Sequence, residues 1–382
     1  MYSLFAYGTF IANRVRTNAY RQALRGAVQP ETVVLDLGAG TGIFALLACQ
    51  MGARRVYAIE PDDVIQVARD LAAANGYADR IEFFQALSTQ INLPERADVI
   101  ISDLRGNLPF YNRALPAIID ARQRFLAPGG RLIPRCDTLW AAVVAAPGLY
   151  RRSLGVWEGR RFGLNQAAAR DLAMNTTQWC YLGPDKLLGP PQCWGRLDYT
   201  TLQSPNLTGA VTWEMDHPGT AHGLLVWFDA ELAPGLGFSN APGAPKLIYG
   251  QTFFPWPQPV ALARGDLVAV SLAARLVGED YIWNWHTRIL EPGKPARPKA
   301  DFRQSSFFGV PLSPALLEQR SQSHLPELNE AGQIDRFILE HMDGQSSLRE
   351  IAQEVAARFP SRFAQGPEAL SRVQELSMKY SR

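Results

Sequence analysis

Net charge, paired cysteines and long apolar runs are all scarce in this 382-residue sequence. Lysine and arginine outnumber aspartate and glutamate by only 38 to 36, so no extended nucleic-acid-binding track is expected. Cys49, Cys136, Cys180 and Cys193 show no C-x-x-C spacing, which argues against a zinc site or a disulfide framework. No apolar run reaches the roughly 18 residues of a membrane helix, and the first residues lack the basic start of a secretory signal. We therefore expect a cytoplasmic protein with no metal site and no nucleic-acid or membrane partner.

The most informative stretch is V-V-L-D-L-G-A-G-T-G, residues 33–42. Its apolar start without period-2 alternation predicts a strand buried on both faces, and the glycines predict a tight turn before a helix that begins near Ile43. A second predicted strand, residues 55–59, ends at Glu60. In a βαβ unit an acid at this place accepts hydrogen bonds from ribose hydroxyls. The stretch therefore predicts a site for an adenosine-containing cofactor.

The glycine spacing distinguishes between cofactors. A dinucleotide fold usually reads G-x-G-x-x-G, whereas this turn reads G-x-G-x-G and occurs once in the chain. The carboxylates of Asp36 and Glu60 would repel phosphate but suit a ligand with an ammonium group and a ribose. The turn resembles the first motif of class I S-adenosylmethionine (SAM) methyltransferases, which implies SAM as cofactor and S-adenosylhomocysteine as product.

Arg16 lies just ahead of the cofactor strand and could reach the methionine carboxylate of SAM; its alternative role is a solvated charge at a helix start. Two further predicted strands, residues 81–85 and 97–103, place the segments that follow them at the carboxyl edge of the sheet, where open α/β sheets bind ligands. The expected cofactor-binding residues are Arg16, Asp36, Gly38, Gly40, Thr41, Gly42, Glu60, Pro61, Leu87, Ser88 and Asp103.

From about residue 136 the composition changes to strand-like runs separated by Gly/Pro turns, which predicts a β-rich barrel or sandwich. A proline- and lysine-rich stretch then leads to three segments of helical periodicity, one of which opens with the capping box Ser347-x-x-Glu350. We expect a Rossmann-like α/β domain over residues 1–135, a β-barrel-like domain over 136–290, a linker over 291–325 and a small helical domain over 326–382.

Several motifs in this order resemble those of the protein arginine methyltransferases. They are Arg16-Thr17, V-L-D-L-G-A-G-T-G, Ile59-Glu60, I-I-S-D-L-R-G-N-L-P-F-Y and V-W-E-G-R-R-F-G-L-N. The resemblance covers about residues 10 to 290. It implies a SAM-binding fold joined to a β-barrel, with a helical arm at about residues 165–190 that serves a head-to-tail homodimer.

The chain departs from this family at the acceptor site. The family holds the substrate guanidinium between two glutamates, which fall here on Asp103 and Asn112, and a methionine of the same loop becomes Arg105. The family's T-H-W triplet falls on residues 247–249, L-I-Y, and its N-terminal lid helix is mostly missing because only residues 7–12 precede Asn13.

These departures change the charge of the loop from −2 to about 0. Two unit charges about 4 Å apart interact by roughly 4 kcal/mol at an effective dielectric of 20, so a guanidinium beside Arg105 would lose most of its attraction. Arg105 could instead point to solvent or pair with Asp103. The sequence therefore predicts a methyltransferase that acts on a peptide or a small metabolite at a non-guanidinium acceptor, with Asp103, Arg105 and Asn112 at the catalytic site. The alternatives are a true arginine or guanidino N-methyltransferase with a degenerate acidic loop, and a non-catalytic SAM-binding scaffold.

The C-terminal segment contains L-N-E, a D-G turn and an E-I-A helix, and resembles the helical part of PqqD-like domains. Members of that family bind leader peptides of ribosomally made peptides, which implies a peptide partner for residues 326–382. A helical interaction module of another kind is the alternative.

Overall fold

The computed structural model describes residues 2–159, 161–293, 297–363 and 366–381. The chain divides into two compact units, Met1–Pro311 and Leu312–Arg382. Within the described ranges, no helix combines the length and the apolar character that crossing a membrane would require.

The first half of the larger unit is a five-stranded parallel sheet. Its strands are β1 (Val33–Leu37), β2 (Arg55–Ile59), β3 (Ile81–Phe84), β4 (Ala97–Ser102) and β5 (Leu126–Ile133). They lie in the order β3-β2-β1-β4-β5, so the strand that precedes the glycine turn is central and all five of its residues are buried. The strand order reverses between β1 and β4, which creates the crevice where open parallel sheets bind ligands. The predicted Rossmann-like domain is confirmed.

Helices flank this sheet and also precede it. They are α1 (Leu4–Ala12), α2 (Arg14–Ala27), α3 (Ile43–Gln50), α4 (Ile65–Ala74) and α5 (Ala114–Phe125). Helix α2 begins at Arg14, because the Asn13 side chain accepts the Arg16 N–H and caps the helix. Ser3 caps α1 in the same way, so the short stretch read as an incomplete lid is helical from Leu4.

The second half of the unit consists of two antiparallel sheets. Their strands are β6 (Cys136–Val144), β7 (Gln178–Cys180), β8 (Gln192–Asp198), β9 (Leu207–Glu214), β10 (Gly219–Ala233), β11 (Leu236–Ser239), β12 (Gln251–Leu262), β13 (Leu267–Val277), β14 (Asp280–Leu290) and β15 (Ala300–Ser305). One sheet has the order β7-β12-β10-β6-β8 with β11 on β10, and the other has the order β15-β14-β13-β9. Large aromatic side chains from both, including Trp256 and Trp285, fill the core. The predicted β-barrel-like domain is confirmed.

The sequence does not predict four of these strands, the short β7 and β11 and the longer β12 and β15. Strand β12 contains Pro255, Pro257 and Pro259, which lack a backbone N–H and argue against a strand. A register shift between the pairs Ala221–Val260 and Gly223–Pro255 leaves Pro257 and Pro259 without a partner on β10. Strand β15 lies in the stretch 291–325, which was predicted to be a linker, and pairs with β14. Residues 294–296 of that stretch lie outside the described residues.

The predicted arm lies between β6 and β8. Helix α6 (Pro147–Ser153) leads towards it, and helix α7 (Ala167–Ala173) falls within the expected range of about 165–190. Strand β7 then returns the chain to the edge of the first sheet, where it pairs with residues 251–253 of β12.

The smaller unit is helical in its described residues. It contains α8 (Pro314–Gln319), α9 (Glu330–Glu340), α10 (Leu348–Arg358) and α11 (Gly366–Tyr380). The last three share a core that includes Ile338, Val355 and Val373, all fully buried. The predicted capping box at the start of α10 is present, because the Ser347 and Glu350 side chains each accept the other's backbone N–H.

Candidate functional site

A cavity of about 600 Å³ lies at the carboxyl edge of the parallel sheet. The glycine turn after β1, the loop after β4, helix α1 and the barrel segment before β12 all contribute to its wall. Of the predicted site residues, it brings together Arg16, Gly38, Gly40, Thr41, Glu60, Pro61, Leu87, Ser88, Asp103, Arg105 and Asn112. Asp36 and Gly42 lie outside the lining.

The glycine turn forms a concave cradle that side chains would fill. Gly38 and Gly40 have φ values of +76° and +54°, in the left-handed region that favours glycine. A Cβ on Gly38 would lie 2.3 Å from the Leu104 side chain, and one on Gly40 would lie 2.6 Å from the Tyr7 ring. The turn therefore requires glycine both for its backbone conformation and for the approach of neighbouring groups.

Glu60 presents its carboxylate to this cradle. One oxygen, Oε2, accepts the Gly40 N–H at 2.9 Å, and Oε1 accepts the Asp62 N–H at 3.1 Å. Burial raises the pKa of Glu60, while these two hydrogen bonds oppose the rise. Each carboxylate oxygen has a second lone pair, so the oriented group can still accept hydrogen bonds from ribose hydroxyls. The glycine cradle and Glu60 thus fit the nucleoside part of SAM.

Asp36 lies beneath the turn, with 1% of its surface exposed. Its Oδ2 accepts the Ala45 N–H at 2.9 Å in the first turn of α3, and its Oδ1 is buried without a hydrogen-bond partner among the described residues. Burial, with a contribution from the Glu60 charge, raises the pKa of Asp36 to about 7. The structure thus shows Asp36 supporting the start of α3.

We expect the Asp36→Asn variant to lose part of the pH dependence of stability. The pKa of Asp36 is about 7 in the folded state and about 3.9 in the unfolded state, so its ionisation favours unfolding. The stability of the wild type should therefore fall between about pH 4 and pH 7, at up to roughly 1.4 kcal/mol per pH unit from this group. Denaturant unfolding at several pH values should show that the free energy of unfolding of the variant rises relative to that of the wild type from pH 5 to 7.5. Parallel stability curves would contradict this.

Asp103, at the end of β4, is the most heavily hydrogen-bonded carboxylate of the cavity. The Tyr249 hydroxyl lies 2.7 and 2.6 Å from its two oxygens, and the Tyr20 hydroxyl donates to Oδ1 at 3.0 Å. Arg16 donates from Nε to Oδ2 at 2.5 Å. Burial and the Asp103 charge together raise the pKa values of both tyrosines, which keeps their hydroxyls protonated as donors.

Arg105 is buried, with 3% of its side chain exposed. Its Nε lies 3.2 Å from Asp103 Oδ1, and its Nη1 lies 3.0 Å from the carboxylate of Asp137 on strand β6. The Tyr199 hydroxyl donates to Asp137 at 2.6 Å, and the guanidinium lies 5.0 Å from the centre of the Phe228 ring. Burial lowers the pKa of Arg105, but the combined attraction of Asp137, Tyr20, Tyr199 and Asp103 outweighs the effect of burial and the net pKa is raised. Two carboxylates therefore offset this buried cation.

Sequence reasoning did not identify Asp137 or Tyr249 as site residues. The first is a charged residue in the otherwise apolar strand C-D-T-L-W-A-A-V-V, and a buried charge usually requires a partner. The second belongs to the L-I-Y triplet that replaces T-H-W, and its hydroxyl reaches Asp103 from 146 positions away. Ile248 of the same triplet also lines the cavity.

The outer part of the cavity is lined by Asn112, Arg113 and Glu279. Asn112 adopts the left-handed conformation, with a φ of +42°, directly before helix α5. The Arg113 Nη1 lies 3.4 Å from a carboxylate oxygen of Glu279, and both side chains are largely exposed, at 58% and 74%.

Comparison with known proteins decides the family. Residues 6–133 match the ribosomal protein L11 methyltransferase (PrmA) family, and residues 136–280 match the arginine methyltransferase oligomerization subdomain. The probable protein arginine N-methyltransferase 6.1 of Oryza sativa subsp. indica is 30% identical over 303 residues, which cover 76% of this chain and 77% of that protein. This chain belongs to the protein arginine N-methyltransferase family.

Two further comparisons agree with this family assignment. The probable protein arginine N-methyltransferase 6 of Arabidopsis thaliana is 30% identical over 232 residues, which cover 58% of this chain but only 53% of that protein's length. A solved Trypanosoma brucei structure has the same fold, with a TM-score of 0.72 at 21% identity over 78% of this chain and 96% of that one. It is described as a PRMT1 enzyme–prozyme heterotetrameric complex with AdoHcy.

Membership in the arginine N-methyltransferase family confirms the predicted cofactor and class of reaction. The protein is a SAM-dependent methyltransferase. The glycine cradle and the Glu60 carboxylate are the groups that would hold its nucleoside. Bound SAM supplies an electrophilic methyl group on a sulfonium. The same membership favours an enzyme over the non-catalytic scaffold that the sequence left open.

Proposed function

We propose that this protein methylates a guanidino nitrogen of arginine. The observation that carries the proposal is the pairing of Arg105 with Asp137. The predicted repulsion of a guanidinium assumed that Asp103 alone offsets Arg105. With Asp137 included, the buried groups Arg16, Arg105, Asp103 and Asp137 balance, and Arg105 does not face the acceptor as an uncompensated cation. The names of the relatives also support arginine over the non-guanidinium acceptor predicted from the loop.

The transfer is an in-line displacement, in which positioning supplies most of the acceleration. The nitrogen lone pair forms the new bond to the methyl carbon, the bond from carbon to sulfur breaks, and its electron pair remains on sulfur. The guanidinium loses one proton in the process, and the Asp103 carboxylate can accept it before release to solvent. Tyr20 and Tyr249 hold Asp103 in place through their hydroxyls.

Helix α1 and Tyr2 just before it cover part of the cavity. Tyr2, Tyr7 and Phe10 line the cavity, and their ring centroids lie 5.1 to 6.0 Å apart in edge-to-face pairs. An aromatic cover of this kind would lower the local dielectric and strengthen the electrostatic interaction of Asp103 with a bound guanidinium.

The test of the acceptor is transfer of a radiolabelled methyl group from SAM to an arginine-rich peptide, followed by hydrolysis and amino-acid analysis. The expected result is label in methylarginine, and no label with a peptide in which lysine replaces every arginine.

The second candidate is a neutral or anionic acceptor in a peptide or small metabolite. It is favoured by the four groups that already surround Asp103 and by the neutral Asn112. Base-labile label, or label on other residues, would favour this candidate and contradict arginine.

We further propose a peptide substrate that is captured through residues 326–382. The support is the resemblance of this segment to PqqD-like domains, which bind leader peptides, together with its own hydrophobic core. Removing the segment should then raise the KM for a peptide that carries a leader and leave the KM for SAM unchanged.

We also propose that the protein forms a homodimer through the arm at about residues 165–190. Residues 136–280 match an oligomerization subdomain, and Leu164, directly before the arm, is 61% exposed. Light scattering should give twice the 42.3 kDa chain mass for the wild type. The Leu164→Glu variant should be monomeric, because it places a charge in an apolar contact, while the control Leu267→Glu should remain dimeric. A monomeric wild type would contradict the proposal.

A further inference from the structure

We infer that Glu279 supplies the second carboxylate that holds the acceptor guanidinium, a role that the loop after β4 cannot fill because it carries Asn112. The inference rests on the proposed arginine methylation and assigns a specificity residue to the same site. Glu279 lines the cavity that Asp103 and Asn112 also line, although it lies more than 160 positions further along the chain.

The backbone around Glu279 fixes its location. Strands β13 and β14 pair over their full lengths, from Leu267 with Leu290 to Val277 with Asp280, so Gly278 and Glu279 form a two-residue hairpin turn. Gly278 has a φ of +66°, as this kind of tight turn requires. A short turn at the end of a long ladder is a well-defined platform for a carboxylate at the mouth of the cavity.

The contact with Arg113 shows that this carboxylate accommodates a guanidinium. The two groups lie 3.4 Å apart, and both are largely exposed, so solvent screens their attraction and the pair contributes little to stability. A substrate guanidinium can therefore exchange with Arg113 at low cost. In this arrangement Arg113 binds the carboxylate that the substrate would bind, and so competes with the substrate.

The two carboxylates would have different roles. Asp103 lies at the buried end of the cavity, where Arg16, Tyr20 and Tyr249 already bind it. Glu279 lies at the exposed end of the cavity. A guanidinium is planar and has five N–H donors, so Glu279 can accept hydrogen bonds from the outer N–H groups of the substrate. The Asn112 amide oxygen can accept one further hydrogen bond but adds no charge. Because the four buried charges balance, Glu279 supplies the net negative charge towards a cationic acceptor that displaces Arg113.

The experiment compares the wild type, Glu279→Gln, Arg113→Gln and the double variant, with Glu214→Gln as a control. Glu214 is an exposed residue of β9 outside the cavity lining. The measurements are steady-state kinetics with an arginine peptide, and anisotropy of the labelled peptide on protein saturated with S-adenosylhomocysteine. Glu279→Gln should raise the peptide KM and Kd about three- to fivefold with an unchanged KM for SAM, as expected for the loss of one solvent-exposed ion pair.

Arg113→Gln should lower the peptide KM, because it removes the competitor, and the double variant should behave like Glu279→Gln alone. Glu214→Gln should match the wild type. Peptide KM and Kd values that Glu279→Gln leaves unchanged would overturn the role of Glu279, while methylarginine formation by the wild type would leave the proposed function intact. A wild type that neither methylates nor binds the arginine peptide would overturn both.

Discussion

Replacing Asp103 with asparagine should reduce methyl transfer at least about a hundredfold. The carboxylate is the proposed anchor of the guanidinium and acceptor of its proton, and a positioned base contributes typically 10²- to 10⁴-fold. Asparagine keeps the shape of the side chain but removes the charge. Single-turnover transfer from radiolabelled SAM measures the effect on the chemical step directly.

The control must separate chemistry from folding, because Asp103 also lies between the buried cations Arg16 and Arg105. Asp103→Glu keeps the charge and is expected to retain most of the activity and stability. Binding of S-adenosylhomocysteine and the thermal midpoint should be measured on both variants. An asparagine variant that is folded, binds the product and still transfers methyl at the wild-type rate would contradict the role of Asp103.

The cofactor half of the site could be predicted from sequence because its signals are local. The strand, glycine turn and Glu60 lie within residues 33–60, and the backbone conformation of the turn itself requires glycine. The left-handed φ values and the two backbone hydrogen bonds to Glu60 follow from this short segment. The fold of the first half was accessible for the same reason, since alternating strands and helices imply a parallel sheet.

The acceptor half could not be predicted in the same way, because its partners come from distant parts of the chain. Asp137 on β6 and Tyr249 before β12 meet the loop after β4 only when the barrel packs on the parallel sheet. Counting charges within the loop alone therefore left out the carboxylate that compensates Arg105. Strand β12 could not be predicted for a different reason, because it contains three prolines and proline is rare inside strands.

Replacing Asp137 with asparagine should destabilise the protein by about 3–5 kcal/mol, since it leaves the buried Arg105 cation with only Asp103, a carboxylate that Arg16 also binds. Arg105→Met alone should also destabilise, because it leaves the Asp137 carboxylate buried with only the Tyr199 hydroxyl. The double variant Arg105→Met/Asp137→Asn removes both charges. It should recover stability to within about 1 kcal/mol of the wild type, because replacing a buried ion pair by neutral groups of similar size is often close to neutral.

Denaturant unfolding of the four proteins forms a double-mutant cycle, in which a large favourable coupling is expected. The exposed pair Arg113 and Glu279 provides a matched control, for which the same cycle should give a coupling below about 1 kcal/mol. Additive effects of Arg105→Met and Asp137→Asn would contradict the pairing that supports arginine as the acceptor.

The cycle also determines which substitutions are needed to return the loop to the family pattern. Arg105→Met with Asn112→Glu should bind arginine peptides more tightly only when Asp137→Asn is included, because methionine alone would leave a buried carboxylate unpaired.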